Sequence, residues 1–459
     1  MHDETKNDTI AAIATPPGEG AVAIVRLSGP ESHAVARALL GPGSPPLPAP
    51  GRFRHADVFE PSTGERLDDA LVLVFRAPRS YTGEDAAELQ LHGSPVVARR
   101  VLEAALRAGA RQALPGEFTR RSFQNGKLDL TQAEAVMDLI RARSDRAARL
   151  ASAQLADALG RRLRALCDAI LPLAADAEAM LDFPDDELPA AVPRDLAARL
   201  GAPISAVEAL LATRHEGRWL RDGARVAIAG PPNAGKSTLL NALSRRDRAI
   251  VAATPGTTRD VLEETILLDG IPVCLVDTAG LREAPGEIER EGVRRARRAA
   301  AEADFVVLVF DASRPPSPAD AAILDSVENN RSIVVLNKTD LGSRRFPSDY
   351  PGRRTVAVSL KNDPSAAPVA EALLAALLPD RSGETDGDVA VSVRHQAALE
   401  SARASLLEAR RLLESGGEEA FLPAGNALRD ALEAVGSLLG REVGEEVLDT
   451  LFAGFCVGK

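Results

Sequence analysis

Three stretches with different hydrophobic rhythms succeed one another along the chain. In the first, short apolar runs of β type alternate with turn signals. Ile10 to Ala14, Ala21 to Leu27, Leu71 to Phe75 and Ala87 to Leu91 read as strands, separated by Gly/Pro-rich punctuation such as GPGSPPLPAPG. Ser94, with Pro95 behind it, opens a helix that runs to about Ala108, where Gly109 stops it. From Thr131 to about Ala212 the apolar residues recur at helical spacing (Ala135, Leu139, Ala142; Leu155, Leu159, Leu163, Leu166, Ile170) and strand-like runs disappear. Pro172 predicts a kink or break, and FPDDELP a turn. Val391 to Phe455 is helical in the same way. Between the two helical stretches, from about Gly223 to Pro379, strands and helices alternate as a doubly wound sheet demands. Each helical stretch is amphipathic and short of a core of its own, so the economical arrangement packs them together, with the α/β part inserted between them.

Composition narrows the class. At 459 residues the chain holds roughly three domains, taking ~150 residues for each. It is 45% apolar and 26% charged, an ordinary globular balance rather than a fibrous or disordered one. The opening MHDETKNDTI lacks the basic start and apolar core of a secretory signal, and it is too acidic for a transit peptide. No run of ~18 apolar residues stands out, so no membrane span and a cytoplasmic setting are expected. Cys167, Cys274 and Cys456 lie too far apart for a ligand or disulfide pattern. A net charge of −11 and 3% aromatics argue against a surface that grips nucleic acid everywhere, so any such contact is local or shared with a partner.

The inserted part carries the clearest chemistry. Arg225 to Ala229 reads as a buried strand, then GPPNAGKS spans Gly230 to Ser237, then an apolar helix begins at Thr238. This is GxxxxGK(S/T) in its strand–loop–helix context: glycines let backbone N–H groups wrap phosphates at a helix N-terminus. Lys236 is expected on the β- and γ-phosphates and the Ser237 hydroxyl on Mg²⁺. Val273 to Val276 leads into Asp277-Thr278-Ala279-Gly280, a carboxylate near Mg²⁺ and a glycine N–H that can sense the γ-phosphate. Ile333 to Leu336 leads into Asn337-Lys338-Thr339-Asp340, whose last carboxylate can accept both N–H groups on the Watson–Crick edge of guanine, a donor pair adenine lacks. Between them lies Thr254-Pro255-Gly256-Thr257-Thr258-Arg259-Asp260, in which Thr258 is the expected second Mg²⁺ ligand. The ordered set makes GTP the expected substrate. Small GTPases of the Ras type place a water-orienting glutamine after Asp-x-x-Gly, where this chain has Leu281. Glu283, Glu287, Glu289 and Glu291 remain open as replacements, and neither Arg259 nor Arg282 stands out as an arginine finger.

GPPNAGKSTLLN, TPGTTRD, DTAGLRE and NKTD together resemble the GTPase domain of the tRNA-modification GTPase MnmE (TrmE) family. TPPGEGAVAIVRLSG, YTGEDAAELQLHG, PGEFTRRSFQNGKLDLTQAEAV and the final FCVGK extend the resemblance over essentially the whole chain, with Val457 where the family usually has Ile. The resemblance implies an α/β plus all-α protein. Residues 1–126 would form a small N-terminal α/β domain that binds folate and dimerises, 127–222 and 381–459 a discontinuous helical domain, and 223–380 an inserted P-loop GTPase domain. It implies a nucleotide site of Asn233, Ala234, Gly235, Lys236, Ser237 and Thr238, then Ala252, Ala253 and Thr254 to Thr258, then Asp277 to Gly280, and finally Asn337, Lys338, Asp340 and Ser359. It further implies a K⁺ held by Asn233, Ala252, Thr254 and Thr257 in place of an arginine finger, and it selects Glu289 as the acid that orients water. A tetrahydrofolate derivative (the 5-formyl or 5,10-methylene form) would meet Arg26, Glu88, Lys127 and Lys459, with Arg and Lys pairing the ligand's carboxylates and Glu88 its pterin N–H donors. The implied reaction adds a carboxymethylaminomethyl group at C5 of the wobble uridine of certain tRNAs. It involves an FAD-containing partner, MnmG, in a heterotetrameric or larger complex of the homodimer. Cys456 would be either a nucleophile toward the uridine ring or a residue shaping the folate pocket.

A second reading keeps the same GTP site in an RNA-associated ribosome-assembly GTPase without covalent chemistry, and a third is a regulatory switch for protein partners. The folate residues and the Cys456 to Lys459 tail separate both from the first. The basic stretch of Arg141, Arg143, Arg146, Arg149, Arg161, Arg162 and Arg164 reads as a solvated helical face rather than a tRNA track. Arg294, Arg295, Arg297 and Arg298 read as solvated or as complements to a helix end.

Overall fold

The structure is a computed structural model that describes residues 8–41, 43–180, 191–246, 263–277, 301–342, 350, 352–379, 389–415, 418–441 and 443–459. It divides into two compact units, Met1–Met137 with Gly436–Lys459, and Asp138–Val435.

The first unit begins with β1 (Ile10–Ile13), β2 (Val22–Ser28), α1 (Ser32–Leu39), β3 (Phe53–Phe59), β4 (Arg66–Phe75), β5 (Ala86–His92), α2 (Pro95–Arg107), β6 (Arg111–Gln112), α3 (Glu117–Gln124) and α4 (Leu130–Arg141). The sheet order is β3-β4-β5-β2-β1-β6, antiparallel except for β1 with β6. Alternation in β2 sends Val25 and Leu27 into a core shared with Val35 and Leu39 of α1 and Val101, Ala104 and Ala105 of α2. Arg26, between them, faces the other side. Ser94 caps α2 by accepting from the Val97 N–H, with Pro95 at the first helical position, as the sequence predicts. Four elements escape that reading, α1, β3, β6 and α3, along with the charged first half of β4.

The chain then forms α5 (Asp145–Leu155), α6 (Ala158–Ala179), α7 (Ala191–Arg199), α8 (Gly201–Ala212) and α9 (Arg214–Asp222). Pro172 does not end a helix: α6 runs through it. The lost hydrogen bond is offset by an apolar face of Leu163, Leu166, Ile170, Leu173 and Ala177, all buried. The FPDDELP segment lies outside the described residues. Next come β7 (Ala224–Ala229), α10 (Lys236–Arg246), β8 (Glu263–Leu268), β9 (Ile271–Asp277), β10 (Phe305–Asp311), α11 (Pro318–Asp325), β11 (Ser332–Asn337), β12 (Arg354–Ala357), α12 (Ala367–Leu377), α13 (Val393–Ser415) and α14 (Phe421–Leu438). Their sheet has the order β12-β11-β10-β7-β9-β8, parallel but for β8. Helix α13 packs along α7 and α8. One described stretch, Val192–Asp222, is long and apolar enough to cross a membrane by length and composition, but half of its most apolar window is buried inside the protein. Leu196, Leu200, Ile204, Val207 and Leu211 bury its inner face.

The second sheet and the helices share one apolar cluster. Ala147 and Leu150 of α5 and Trp219 and Leu220 of α9 belong to the same core as Val226, Ile228, Leu268, Ile271 and Val273. The Trp219 indole N–H donates to the Leu377 carbonyl at 2.8 Å. Gln154 donates to the Ala390 carbonyl at 2.5 Å.

Candidate functional site: a nucleotide cradle and an N-terminal cluster

Strand β7 lies between β9 and β10, and its end delivers the loop Gly230 to Gly235 into α10. Gly230 has φ +146°, and a Cβ there would lie 2.2 Å from the Val309 carbonyl oxygen. Gly235 has φ +107°, and a Cβ would lie 2.2 Å from the Asn337 side-chain nitrogen. No side chain fits at either position. Asn233 takes a left-handed conformation at φ +60°, the kind of turn that lets successive N–H groups face one concavity. The Lys236 ammonium donates to the Gly230 and Pro231 carbonyls at 2.9 Å each, so it lies over the loop it serves. Ser237 and Thr238 follow it in the first turn of α10.

The segment expected to read the base sits at the end of β11 and is tied to the loop before α10. Asn337, 4% exposed, donates to the Ala234 carbonyl at 2.9 Å and accepts from the Leu360 N–H at 3.1 Å. The expected contact residue is thus a strut between the two halves of the site. Lys338 stands at φ +65° with its ammonium 2.7 Å from Asp311, at the end of β10. Burial would raise the Asp311 carboxyl, but hydrogen bonds from Lys338 and Ser313 hold it below its ordinary value. Asp340 is exposed and accepts from the Ser359 hydroxyl at 2.6 Å. That bond, with the charges of Lys361 and Lys338, lowers its pKa, so it stands ionised as an acceptor. The sequence reading missed Asp311 and Leu360; the strand-ending Asp-Ala-Ser at Asp311 was the available signal.

Thr258 and the loop Ala252 to Thr257 lie outside the described residues, as do Thr278, Ala279, Gly280, Glu289 and the other three candidate acids. So do Arg259, Arg282 and the arginines from Arg294 to Arg298. Asp277 ends β9, beside β7.

In the first unit, residues far apart in sequence converge. Arg26 pairs with Glu88 opposite it on β5 at 2.8 Å, and its guanidinium donates to the Gly458 carbonyl at 3.2 Å. The same guanidinium lies 5.6 Å from the Tyr81 ring centre and 5.8 Å from that of Phe118. Gly458 has φ +97°, and a Cβ there would lie 2.5 Å from the Ile13 carbonyl oxygen, so the tail reaches β1 only with glycine at that place. A bridge between Pro115 and Val457 and a bond from the Gly116 N–H to the Cys456 carbonyl at 3.4 Å seat the rest of the tail. Burial, and then the neighbouring Arg26 charge, push the Lys459 ammonium below its ordinary value, while Glu88 works the other way. Cys456 is exposed. Lys127 is not brought into these contacts; it lies against Gly83 and donates to the Pro78 carbonyl at 3.1 Å. Helix α3 clamps the segment between Pro78 and Glu84: Ser122 donates to the Tyr81 carbonyl, Asn125 to the Thr82 carbonyl, and Tyr81 bonds Thr119. Beneath it Arg121, 6% exposed on its side chain, pairs with Asp8, Glu84 and Glu117. Tyr81, Phe118 and this ionic layer were not singled out from sequence.

Asp68, Asp69 and His92 also approach closely enough to share a cation. His92 already bonds Asp68 at 2.8 Å, and Asp69 is held by His55 at 2.7 Å and Arg66 at 3.2 Å. The group reads as cross-strand ion pairing. Among the basic stretch, Arg146 is not solvated: it bonds Asp269 and Glu216. Arg164 pairs with Asp157.

Comparison with known proteins agrees with the geometry. Residues 9–127 match the family model for the GTP-binding protein TrmE N-terminus, and residues 130–456 that for the MnmE helical domain. The tRNA modification GTPase MnmE of Geobacter metallireducens is 42% identical over 98% of this chain and 99% of its own length. Its counterpart from Chloroflexus aurantiacus is 43% identical over 99% of this chain and 100% of its own. That from a Synechococcus species is 44% identical over 98% of each. Matched along its whole length, with a guanine-type nucleotide cradle and a C-terminal tail seated on the N-terminal sheet, the chain belongs to the tRNA modification GTPase MnmE family.

Proposed function

We propose that this chain, a GTP hydrolase of tRNA modification by its family, couples GTP turnover to carboxymethylaminomethyl addition at C5 of the wobble uridine. Its three parts would be a folate-binding and dimerising domain over residues 1–126, a helical domain over 127–222 and 381–459, and a GTPase domain over 223–380. The backbone cradle from Gly230 to Gly235 and Lys236 would hold the phosphates, and Asp340 would accept the guanine N–H pair. Ser237 and Thr258 supply hydroxyls suited to Mg²⁺. The Asn233 side chain, with oxygens of Ala252, Thr254 and Thr257, supplies a donor set suited to K⁺, which would neutralise transition-state charge as a guanidinium does. Glu289 would orient the attacking water in the place that Leu281 cannot serve.

The observation that carries the reading beyond GTP hydrolysis is the convergence of Arg26, Glu88 and the Gly458–Lys459 tail. A ribosome-assembly switch has no use for it. A carboxylate between two cations and beside aromatic rings suits the pterin end of a folate, whose N–H donors take Glu88 while Arg26 and Lys459 donate to its ring acceptors. Such a folate supplies a one-carbon unit. Arg26, Glu88, Lys127 and Lys459 bind and orient it, while Cys456 on the exposed tail lies beside the same cluster. The chain would act as a homodimer with an FAD-containing partner, MnmG, on tRNA. The deciding experiment is mass analysis of wobble nucleosides from cells lacking this gene. Loss of the modified uridine is expected; an unchanged nucleoside profile would return the chain to the assembly-factor reading.

A further inference from the structure

The hairpin of β8 and β9 occupies a particular place between the two γ-phosphate-sensing segments. In sequence, β8 starts directly after the segment carrying TPGTTRD, and β9 ends on the Asp277 that opens DTAG. A strand of six residues is about 20 Å long at ~3.4 Å per residue. The hairpin is therefore a rod with Glu263 and Asp277 at one end, where β9 runs beside β7, and its turn, Asp269–Gly270, at the other.

That turn is bolted to the helices. Arg146, in the first turn of α5, donates through one guanidinium nitrogen to both the Asp269 carbonyl and its carboxylate, at 3.0 Å each. Its other terminal nitrogen pairs with Glu216 of α9. Asp269 has φ +50° and Gly270 φ +77°, and a Cβ at Gly270 would lie 2.8 Å from the Arg146 Cβ. The turn is shaped so that this arginine can lie against it. The hairpin and both helices also share an apolar cluster. Apolar contact is non-directional and lets elements slide, whereas an arginine fork holding a carbonyl, a carboxylate and a second helix fixes an angle.

We propose that Arg146 is the positioning residue that transmits the nucleotide state from the β8–β9 hairpin to helices α5 and α9. It touches no substrate. It makes the turn, the start of α5 and the start of α9 move as one body, so a displacement at the sensing end of the rod reaches the helices. The inference rests on the proposed coupling of GTP turnover to the modification.

The test compares wild type with Arg146→Ala and Asp269→Asn in the full chain. Asp269→Asn keeps the left-handed turn and the backbone carbonyl but removes the carboxylate. Hydrogen exchange of α5 and α9 is measured with GDP and with a non-hydrolysable GTP analogue. GTP consumed per modified nucleoside is measured with the FAD-containing partner present. Wild type is expected to show a nucleotide-dependent difference in α9 that Arg146→Ala abolishes and Asp269→Asn weakens. GTP affinity should stay within about two-fold of wild type. GTP spent per modified nucleoside should rise roughly five-fold, the lower end of typical coupling between sites. An α9 difference that persists in Arg146→Ala, or an unchanged ratio, overturns the proposal while leaving the function standing. Wild type that modifies no nucleoside overturns the function itself.

Discussion

Asn337→Ala isolates the strut that joins the two halves of the nucleotide site. The substitution leaves the Ala234 carbonyl and the Leu360 N–H without the partners they have at 2.9 and 3.1 Å. Ala234 is fully buried and Leu360 is 3% exposed, so water does not reach in to replace the amide. A buried polar group left unsatisfied costs about 1–3 kcal/mol, which makes about 2–6 kcal/mol for the pair. Part of that cost appears as lost stability of the GTPase part. Part appears as lost affinity, because nucleotide then has to hold the phosphate loop and the guanine-reading segment in register itself. Each ~1.4 kcal/mol in affinity is tenfold in Kd. We expect GTP and GDP to bind at least about tenfold more weakly, with unfolding easier by a few kcal/mol. Trp219 is the only tryptophan in the chain and lies in the core it shares with β7 and β9. Its fluorescence therefore follows unfolding of this part, and a fluorescent nucleotide titration follows affinity. An unfolding transition and a Kd both indistinguishable from wild type would refute the strut.

Four further outcomes follow. Replacing K⁺ by Na⁺ should slow GTP hydrolysis sharply, and Glu289→Ala should abolish hydrolysis at unchanged nucleotide affinity; equal rates in both salts, or lost affinity, would each remove the role assigned. Lys459 has its pKa pushed below the ordinary 10.5, so the ammonium that would donate to a folate begins to discharge earlier than a free lysine. Folate affinity should fall as pH rises through the alkaline range below that value, and deleting Lys459 should flatten the profile. In the ionic layer under α3, burial raises Glu117 and Asp8, but Arg111 and Arg121 outweigh it and hold both below their ordinary 4.5 and 3.8. Their stabilisation is complete above those values and is lost as pH falls through the lower folded pKa values. Arg121→Ala should destabilise the first unit by about 1–3 kcal/mol, since Glu117 and Asp8 keep Arg111 but lose their second arginine, and Glu84 loses its own. Hydrogen exchange in β2 and β5 reads this, and unchanged protection would contradict it.

What the sequence reveals follows how local the cause is. The central strands β7, β9 and β11 were legible because strands buried on both faces read as unbroken apolar runs, such as VAIA and IVVL. The Ser94 cap and the phosphate loop were legible because each is a contiguous signal. Strand β3 was hidden because it is an edge strand whose outward residues are Phe53, His55 and Asp57, with Phe53 70% exposed. The start of β4 reads as a charged loop, yet Arg66 and Asp69 are paired across to Asp57 and His55. Those pairs exist only once the strands are side by side. Helix α1 is short and starts from Glu31, which makes no side-chain cap bond. The N-terminal cluster is the extreme case. Residues 26, 81, 88, 118 and 459 meet only through the fold, so resemblance named three of them, Arg26, Glu88 and Lys459, while Tyr81 and Phe118 went unnoticed. Arg146 was misread for the same reason, since its partners lie 70 and 123 positions away.

The account stands on a cradle built for a guanine nucleotide, and one titration tests it most directly. Purified full chain is titrated with GTP, ATP and XTP in K⁺ and Mg²⁺, as wild type and as Asp340→Asn. Wild type should bind GTP and hydrolyse it while rejecting ATP by a factor of roughly 10⁴, the discrimination of a site that pairs substrate N–H groups. Asp340→Asn should lose GTP affinity, because an amide cannot accept both guanine donors. Comparable binding of ATP and GTP by wild type, or of neither, would contradict the account at its centre.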